Sequence, residues 1–249
     1  MFMRRSRRRV VGCGESNTFV LLPLARGVIA RSPGAGLSSL LTLDDILPVV
    51  LKQAAGATVD DTLAELAAEA NGAIQRIQNL AKRETLDAAR IRFPRGYLCE
   101  ARLWRDAVAF LATANLRRNI AYALMLHDVQ AWLLKRTDLE GQAREMLVKG
   151  AITTLGGVAE AILIDVTSPP LGRRQKMASR VKHLHDGQAL DDSLRDDLLW
   201  LWDTRNRQHL YELDAPEFDV YSRDDHPRAE ATVAKLIKVL QARAETLRQ

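Results

Sequence analysis

The chain has 249 residues, of which 47% are hydrophobic and 27% charged, enough to bury a sizeable core in one domain or two small ones. No apolar run approaches the length of about 18 residues that suggests a membrane-spanning helix, so we expect no contact with a membrane. The formal net charge is +5, but five arginines fall within residues 1–9, and without them 31 basic residues face 31 acidic ones. The folded part is therefore not expected to be a basic protein, which argues against an extended nucleic-acid-binding surface.

Residues 1–41 are predicted to be a disordered basic tail or the product of a wrongly assigned translation start. A twin-arginine export signal is an alternative, since Ser6-Arg7-Arg8 precedes an apolar stretch. That stretch, 19–24, is short for such a signal. An arginine-rich arm that binds nucleic acid is the third alternative. Cys13 and Cys99 have no metal-binding spacing and suggest a reducing, cytoplasmic location.

Residues 42–115 are predicted to form an N-terminal helical block. Thr42 and Thr58 are each followed by acidic residues, as is typical of helix starts. After Thr58, apolar residues recur at steps of three and four as far as Leu86, which predicts a long helix. Residues 92–96 (RFPRG) interrupt the pattern, and a further helix is predicted over residues 97–114.

Residues 116–249 are predicted to form a second helical domain, with helices over 116–136, 139–166, 173–184, 191–207 and 226–248. The residues Ser168-Pro169-Pro170-Leu171-Gly172 are expected to end the second of these. Alternating strand patterns are absent, so the predicted fold class is all-α, a helical bundle. A domain boundary is plausible near 93–96 or near 114–116.

The most informative stretch is residues 198–213, LLWLWDTRNRQHLYEL. On a helical wheel with about 100° per residue, Arg205 and His209 fall within the apolar stripe that contains Leu194, Leu198 and Leu201. A cation in such a stripe requires a partner or a cleft. The structural alternative is an Arg205 that is satisfied by a core carboxylate, with Asp165 and Glu160 as the candidates, and a His209 in an ordinary turn.

Arg205-Asn206 followed by His209, after an apolar helix and before an acidic loop and a last helix, resembles the HEPN superfamily over roughly residues 116–249. The resemblance implies a compact helical domain, usually homodimeric. Many members are metal-independent ribonucleases in which the Arg and His of both protomers meet in one cleft, and others are non-catalytic binding modules. The family usually separates the Arg and the His by more than the three residues found here.

The helix predicted over 139–166 carries Gly156, Gly157 and Glu160 on one side, so a neighbouring helix can approach it closely. Members of the HEPN superfamily often have an acidic residue in this helix near the Arg/His cleft, and the hypothesis is that Glu160 orients Arg205 or His209. The alternative is an exposed Glu at the rim of the bundle.

The only internal basic cluster comprises Arg173, Arg174 and Lys176, with Arg180 and Lys182 further along the chain. The cluster is predicted either to contact RNA phosphates, with Arg173, Arg174, Lys176 and Arg180 as the candidates, or to form a solvated face. His183 and His185 are two residues apart, so their imidazoles diverge on a helix and no metal site is expected. No cofactor is expected.

The first functional hypothesis is therefore a HEPN-like, metal-independent endoribonuclease, a toxin or a phage-defence component, acting on RNA as a homodimer with or without an antitoxin. Its predicted catalytic residues are Arg205, His209, Asn206 and Glu160. The alternatives are a non-catalytic HEPN-like module that binds a nucleotide, RNA or a protein, and an unrelated helical adaptor in which Arg205 and His209 are buried structural groups.

Overall fold

The structure is a computed structural model that describes residues 58–208, 216–217 and 219–247. Within these ranges it contains seven α-helices, two short 3₁₀ helices and no strand, which confirms the predicted all-α class. The predictions for residues 1–41 and for a helix start at Thr42 fall outside the described residues, and so does His209.

The chain divides into two compact units between Phe93 and Pro94, and each is described by itself. This division lies at the sequence break predicted over residues 92–96. It places residues 94–115 in the same unit as the residues that follow them.

The first unit contains helix α1, Val59–Ala81, and a 3₁₀ turn at Asp87–Ala89. As the sequence predicts, Thr58 caps α1. The Thr58 hydroxyl accepts a hydrogen bond from the backbone N–H of Asp61 at 3.2 Å, and the Asp61 carboxylate accepts one from the backbone N–H of Thr58 at 2.9 Å. This reciprocal capping box satisfies two backbone donors that the helix leaves unpaired.

The second unit begins with a 3₁₀ turn, Arg95–Tyr97, and continues with six helices. They are α2 (Ala101–Ala107), α3 (Ala114–Arg136), α4 (Gly141–Leu171), α5 (Met177–Asp186), α6 (Asp192–Asn206) and α7 (Asp225–Thr246). Helix α4 contacts α3, α5, α6 and α7, so it is the central helix of the bundle. The core consists of leucines, isoleucines, valines and alanines that these helices place inward.

Helix α4 is long and apolar enough to cross a membrane, with a mean hydropathy of 1.6 over its most apolar 18 residues, of which 56% are buried inside the protein. Such a helix was not expected from the lengths of uninterrupted apolar runs. Within the described residues, this helix packs against four neighbouring helices.

The end of α4 differs from the prediction, because the helix continues through Pro169 and Pro170 to Leu171. Proline lacks a backbone N–H, so the carbonyls of Asp165 and Val166, four residues before Pro169 and Pro170, receive no helical hydrogen bond, and the helix ends one residue after Pro170. Gly172, with a φ of 79°, ends the helix instead, and its N–H donates to the carbonyl of Ser168 at 2.8 Å. Glycine adopts this left-handed conformation without the strain that a Cβ would cause.

Helix α2 is shorter than the helix predicted over residues 97–114. The Asp128 carboxylate accepts a hydrogen bond from the backbone N–H of Cys99 at 2.9 Å, and Asp165 accepts one from Ala112 at 2.9 Å. These carboxylates satisfy backbone donors on both sides of α2, so the flanking segments do not need helical hydrogen bonds. Burial raises the pKa of Asp128 to about 6, although the hydrogen bonds from Cys99 and Trp104 oppose that shift.

Candidate functional site

Arg205 lies on the inward face of α6, as the helical wheel predicts. Leu194, Leu198 and Leu201 are buried along the same face. Opposite Arg205, helix α4 has Gly156, and a Cβ added to this glycine would lie 2.7 Å from Arg205 Cβ and 2.8 Å from Arg205 Cγ. The absence of a side chain at Gly156 therefore lets α6 approach α4 closely at this point.

Arg205 forms an ion pair with Glu160, one turn further along α4 than Gly156. Arg205 Nη2 lies 2.9 Å from Glu160 Oε2, and the two side chains are 22% and 26% exposed. Of the two carboxylates that the sequence offers as partners, Glu160 is therefore the one that pairs with Arg205. The pair is partly exposed to solvent, so it lies between a fully buried ion pair and a fully exposed surface ion pair.

Two neighbours on α6 further restrict the Arg205 guanidinium. Its Nη1 donates a hydrogen bond to Asn206 Oδ1 at 3.3 Å, and its Cζ lies 5.1 Å from the centre of the Trp202 ring. A guanidinium above an indole face is stabilised by the ring quadrupole. The structure thus brings three of the four predicted catalytic residues together, Arg205, Asn206 and Glu160, while His209 lies outside the described residues.

The predicted RNA-contacting cluster is only partly exposed. The side chains of Arg173, Arg174 and Lys176 are exposed. Arg180 is only 1% exposed, and its guanidinium donates to Thr167 Oγ1 at 2.6 Å and to the carbonyls of Gly172 and Arg173 at 3.0 and 2.8 Å. The prediction that Arg180 contacts a phosphate is therefore corrected, because this arginine satisfies acceptors at the end of α4.

The two histidines of α5 diverge, as their spacing predicts. His183 is exposed, whereas His185 Nε2 lies 3.0 Å from Asp192 Oδ1, which also pairs with Arg195 at 2.7 Å. This is a partly exposed surface network of the kind that contributes little to stability.

One buried polar cluster was missed because its members are far apart in sequence. The Lys149 ammonium pairs with a carboxylate oxygen of Glu217, whose other oxygen accepts a hydrogen bond from the Tyr221 hydroxyl at 2.6 Å. Burial acts to raise the pKa of Glu217, but the hydrogen bonds from Lys149 and Tyr221 outweigh it and hold that pKa below its usual value. Burial and the Glu217 carboxylate raise the pKa of Tyr221. This cluster anchors the segment after α6 to the central helix.

A second cluster was also missed and joins α3 to α7. His127 Nε2 lies 3.0 Å from His226 Nε2, and Glu230 Oε1 lies 3.6 Å from the first and 3.5 Å from the second. Lys135 donates to both oxygens of Glu230, at 2.9 and 3.0 Å. The four-residue spacing of His226 and Glu230 places both on one helix face. This spacing is the feature of the sequence from which part of the cluster could have been found.

Both histidines of this cluster are neutral at pH 7. Burial lowers the pKa of His127 to about 3, with His226 and Lys135 adding to the effect. Burial also lowers the pKa of His226 to about 4, with Lys135 and Arg144 adding to it. The pKa of Glu230 is raised by burial, against the opposing effect of Lys135.

Comparison of this chain with protein-family models, with curated proteins and with solved structures found no match.

Proposed function

We propose that this protein is a HEPN-like endoribonuclease that cleaves RNA without a metal ion and acts as a homodimer. The observation that carries the proposal is the Arg205–Glu160 ion pair beside Asn206, on the helix that leads to His209. A partly exposed arginine held by a carboxylate, a neighbouring amide and an aromatic ring is positioned to receive an anion.

In the proposed reaction the ribose 2′-hydroxyl is the nucleophile. His209 takes the proton of this hydroxyl or gives a proton to the leaving 5′-oxygen, because imidazole titrates near neutral pH. The O2′–P bond forms, the P–O5′ bond breaks, and the product has a 2′,3′-cyclic phosphate. Arg205 stabilises the charge that develops on the phosphate, and Asn206 positions the substrate. A nucleophile supplied by the RNA itself requires no metal-bound water.

Glu160 is a positioning residue in this proposal. Its carboxylate fixes the guanidinium of Arg205 at one nitrogen, so that the remaining donors can face a phosphate. The exposed side chains of Arg173, Arg174 and Lys176 belong to the same unit and are the candidates for contacts with the RNA backbone.

The test is cleavage of labelled total RNA and tRNA by the purified protein in the presence of EDTA, after circular dichroism in the same EDTA buffer has verified that the helices are retained. We expect cleavage by the wild type and its loss in Arg205→Ala and in His209→Ala. Arg195→Ala is the matched control, because it removes an arginine from the same helix without touching the site. Cleavage that persists in folded His209→Ala would refute the assignment of the site.

The second candidate function is a non-catalytic HEPN-like module that binds a nucleotide, RNA or a protein partner. It is favoured by the fact that the charge of Arg205 is already balanced by Glu160, and by the short separation of Arg205 from His209. Intact RNA in every lane, together with a rise in melting temperature on addition of RNA or nucleotides, would support this function over catalysis.

A further inference from the structure

Three potential metal ligands converge on one point between helices α3 and α7. They are His127 and His226, whose Nε2 atoms face one another, and Glu230, whose Oε1 lies within 3.6 Å of both. All three residues are buried. His127 and His226 are 99 residues apart in the chain, so the tertiary fold alone brings them together.

The distances between these atoms match the coordination sphere of a small ion. A circle through three atoms separated by 3.0, 3.5 and 3.6 Å has a radius of about 2.0 Å. A point about 0.6 Å out of their plane therefore lies about 2.05 Å from each atom, within the usual range for zinc bonded to histidine nitrogen and carboxylate oxygen. A tetrahedral ion would keep its fourth position on the side away from that plane.

Glu230 can bind a metal ion through Oε1 while its other oxygen, Oε2, stays paired with a lysine. Lys135 of α3 contacts both oxygens of Glu230, at 2.9 and 3.0 Å, so it can retain Oε2 while Oε1 binds an ion. Lys135 and Arg144 add positive charge nearby, whereas Asp128 adds a carboxyl group. Without an ion, the same residues form a buried network in which Lys135 neutralises Glu230.

We propose that His127, His226 and Glu230 form a binding site for one divalent transition-metal ion, with zinc as the best match to two imidazole nitrogens and one carboxylate oxygen. The ion links α3 to α7 and stabilises the second unit. The proposal is independent of the ribonuclease function, because the site shares no residue with Arg205, Asn206, His209 and Glu160.

The test is zinc binding to the full chain after dialysis against a chelator, measured by calorimetry and by competition with a chromophoric chelator. We expect one zinc ion per chain, and a loss of affinity of at least about tenfold in His226→Gln and in Glu230→Gln. His183→Gln is the matched control, because His183 is an exposed histidine outside the cluster and its loss should leave the affinity unchanged. A folded wild type that binds no zinc, or binding that is equal in His226→Gln and the wild type, would overturn the proposal.

A measurement on the unmutated protein keeps the proposal testable if a variant fails to fold. Cobalt(II) bound in place of zinc should give visible absorption of a low-coordinate nitrogen and oxygen site. It should also lack the near-ultraviolet charge-transfer band of a thiolate ligand. A thiolate band would move the metal to one of the two cysteines, Cys13 or Cys99, and would contradict the assignment.

Discussion

Replacing Gly156 with alanine tests whether the close approach of α6 to α4 positions Arg205. The new Cβ would lie 2.7 Å from Arg205 Cβ and 2.8 Å from Arg205 Cγ, both far below ordinary van der Waals contact. These two atoms are at the base of the side chain, so a change of rotamer at the guanidinium end does not relieve the overlap. The two helices must move apart, and Arg205 must shift relative to Glu160.

Two opposing contributions determine how far Gly156→Ala changes the free energy of unfolding. Overpacking of a core contact costs about 1–3 kcal/mol, whereas replacing glycine by alanine within a helix gains about 1 kcal/mol. Gly157 is the matched control, since it is the next residue of α4 and its added Cβ would meet no atom within 4 Å. The helix-propensity gain is common to both variants, so their difference isolates the contact with Arg205.

Urea unfolding followed by circular dichroism measures this difference. We expect Gly157→Ala to be more stable than the wild type by about 0.5–1 kcal/mol and Gly156→Ala to be less stable than Gly157→Ala by about 1–3 kcal/mol. With a slope of about 2 kcal/mol per molar urea, the two midpoints should differ by on the order of 1 M. Equal midpoints, or a more stable Gly156→Ala, would refute the argument that α6 packs directly on Gly156.

Two further predictions concern buried polar groups of the second unit. Arg180→Met should lower the free energy of unfolding by about 2–4 kcal/mol, measured in urea, because it leaves the Thr167 hydroxyl and two carbonyls without their donor. The stability of the protein dialysed against a chelator should also fall on acidification from about pH 6.5 toward pH 4, since the unfolded chain protonates His127 and His226 before the folded one does. Asp128 and Glu230 have raised pKa values, so they act in the opposite direction and should reduce this loss. Urea midpoints at pH 7 and pH 5 that differ as much in the double His→Gln variant as in the wild type would contradict the assignment.

The sequence by itself determined the fold class and most helix positions. The recurrence of apolar residues at steps of three and four locates the helices, and the capping residue Thr58 marks the start of α1. The same periodicity places Arg205 on the same face of α6 as the buried residues Leu194, Leu198 and Leu201. These features are local, because each depends on residues within a few turns of one helix.

The ends of the helices were predicted less accurately than their central residues, because side chains of other helices influence where a helix ends. The carboxylates of Asp128 and Asp165 shorten α2 by satisfying backbone donors beside it, and Arg180 covers acceptors beyond Pro170 at the end of α4. The local sequence does not indicate that a side chain from another helix will hydrogen-bond to the backbone at a helix end.

Only the tertiary structure decided which polar side chains meet. Arg205 pairs with Glu160, 45 residues away in the sequence, and not with Asp165. His127 contacts His226, 99 residues away in the sequence. Periodicity fixes the direction of a side chain around its own helix axis. It does not fix the crossing angle or the axial register between two helices, and these depend on how whole surfaces pack. If one helix slid along its neighbour by one turn, about 5.4 Å, both groups of residues would separate, although the first and last residue of every helix would stay the same.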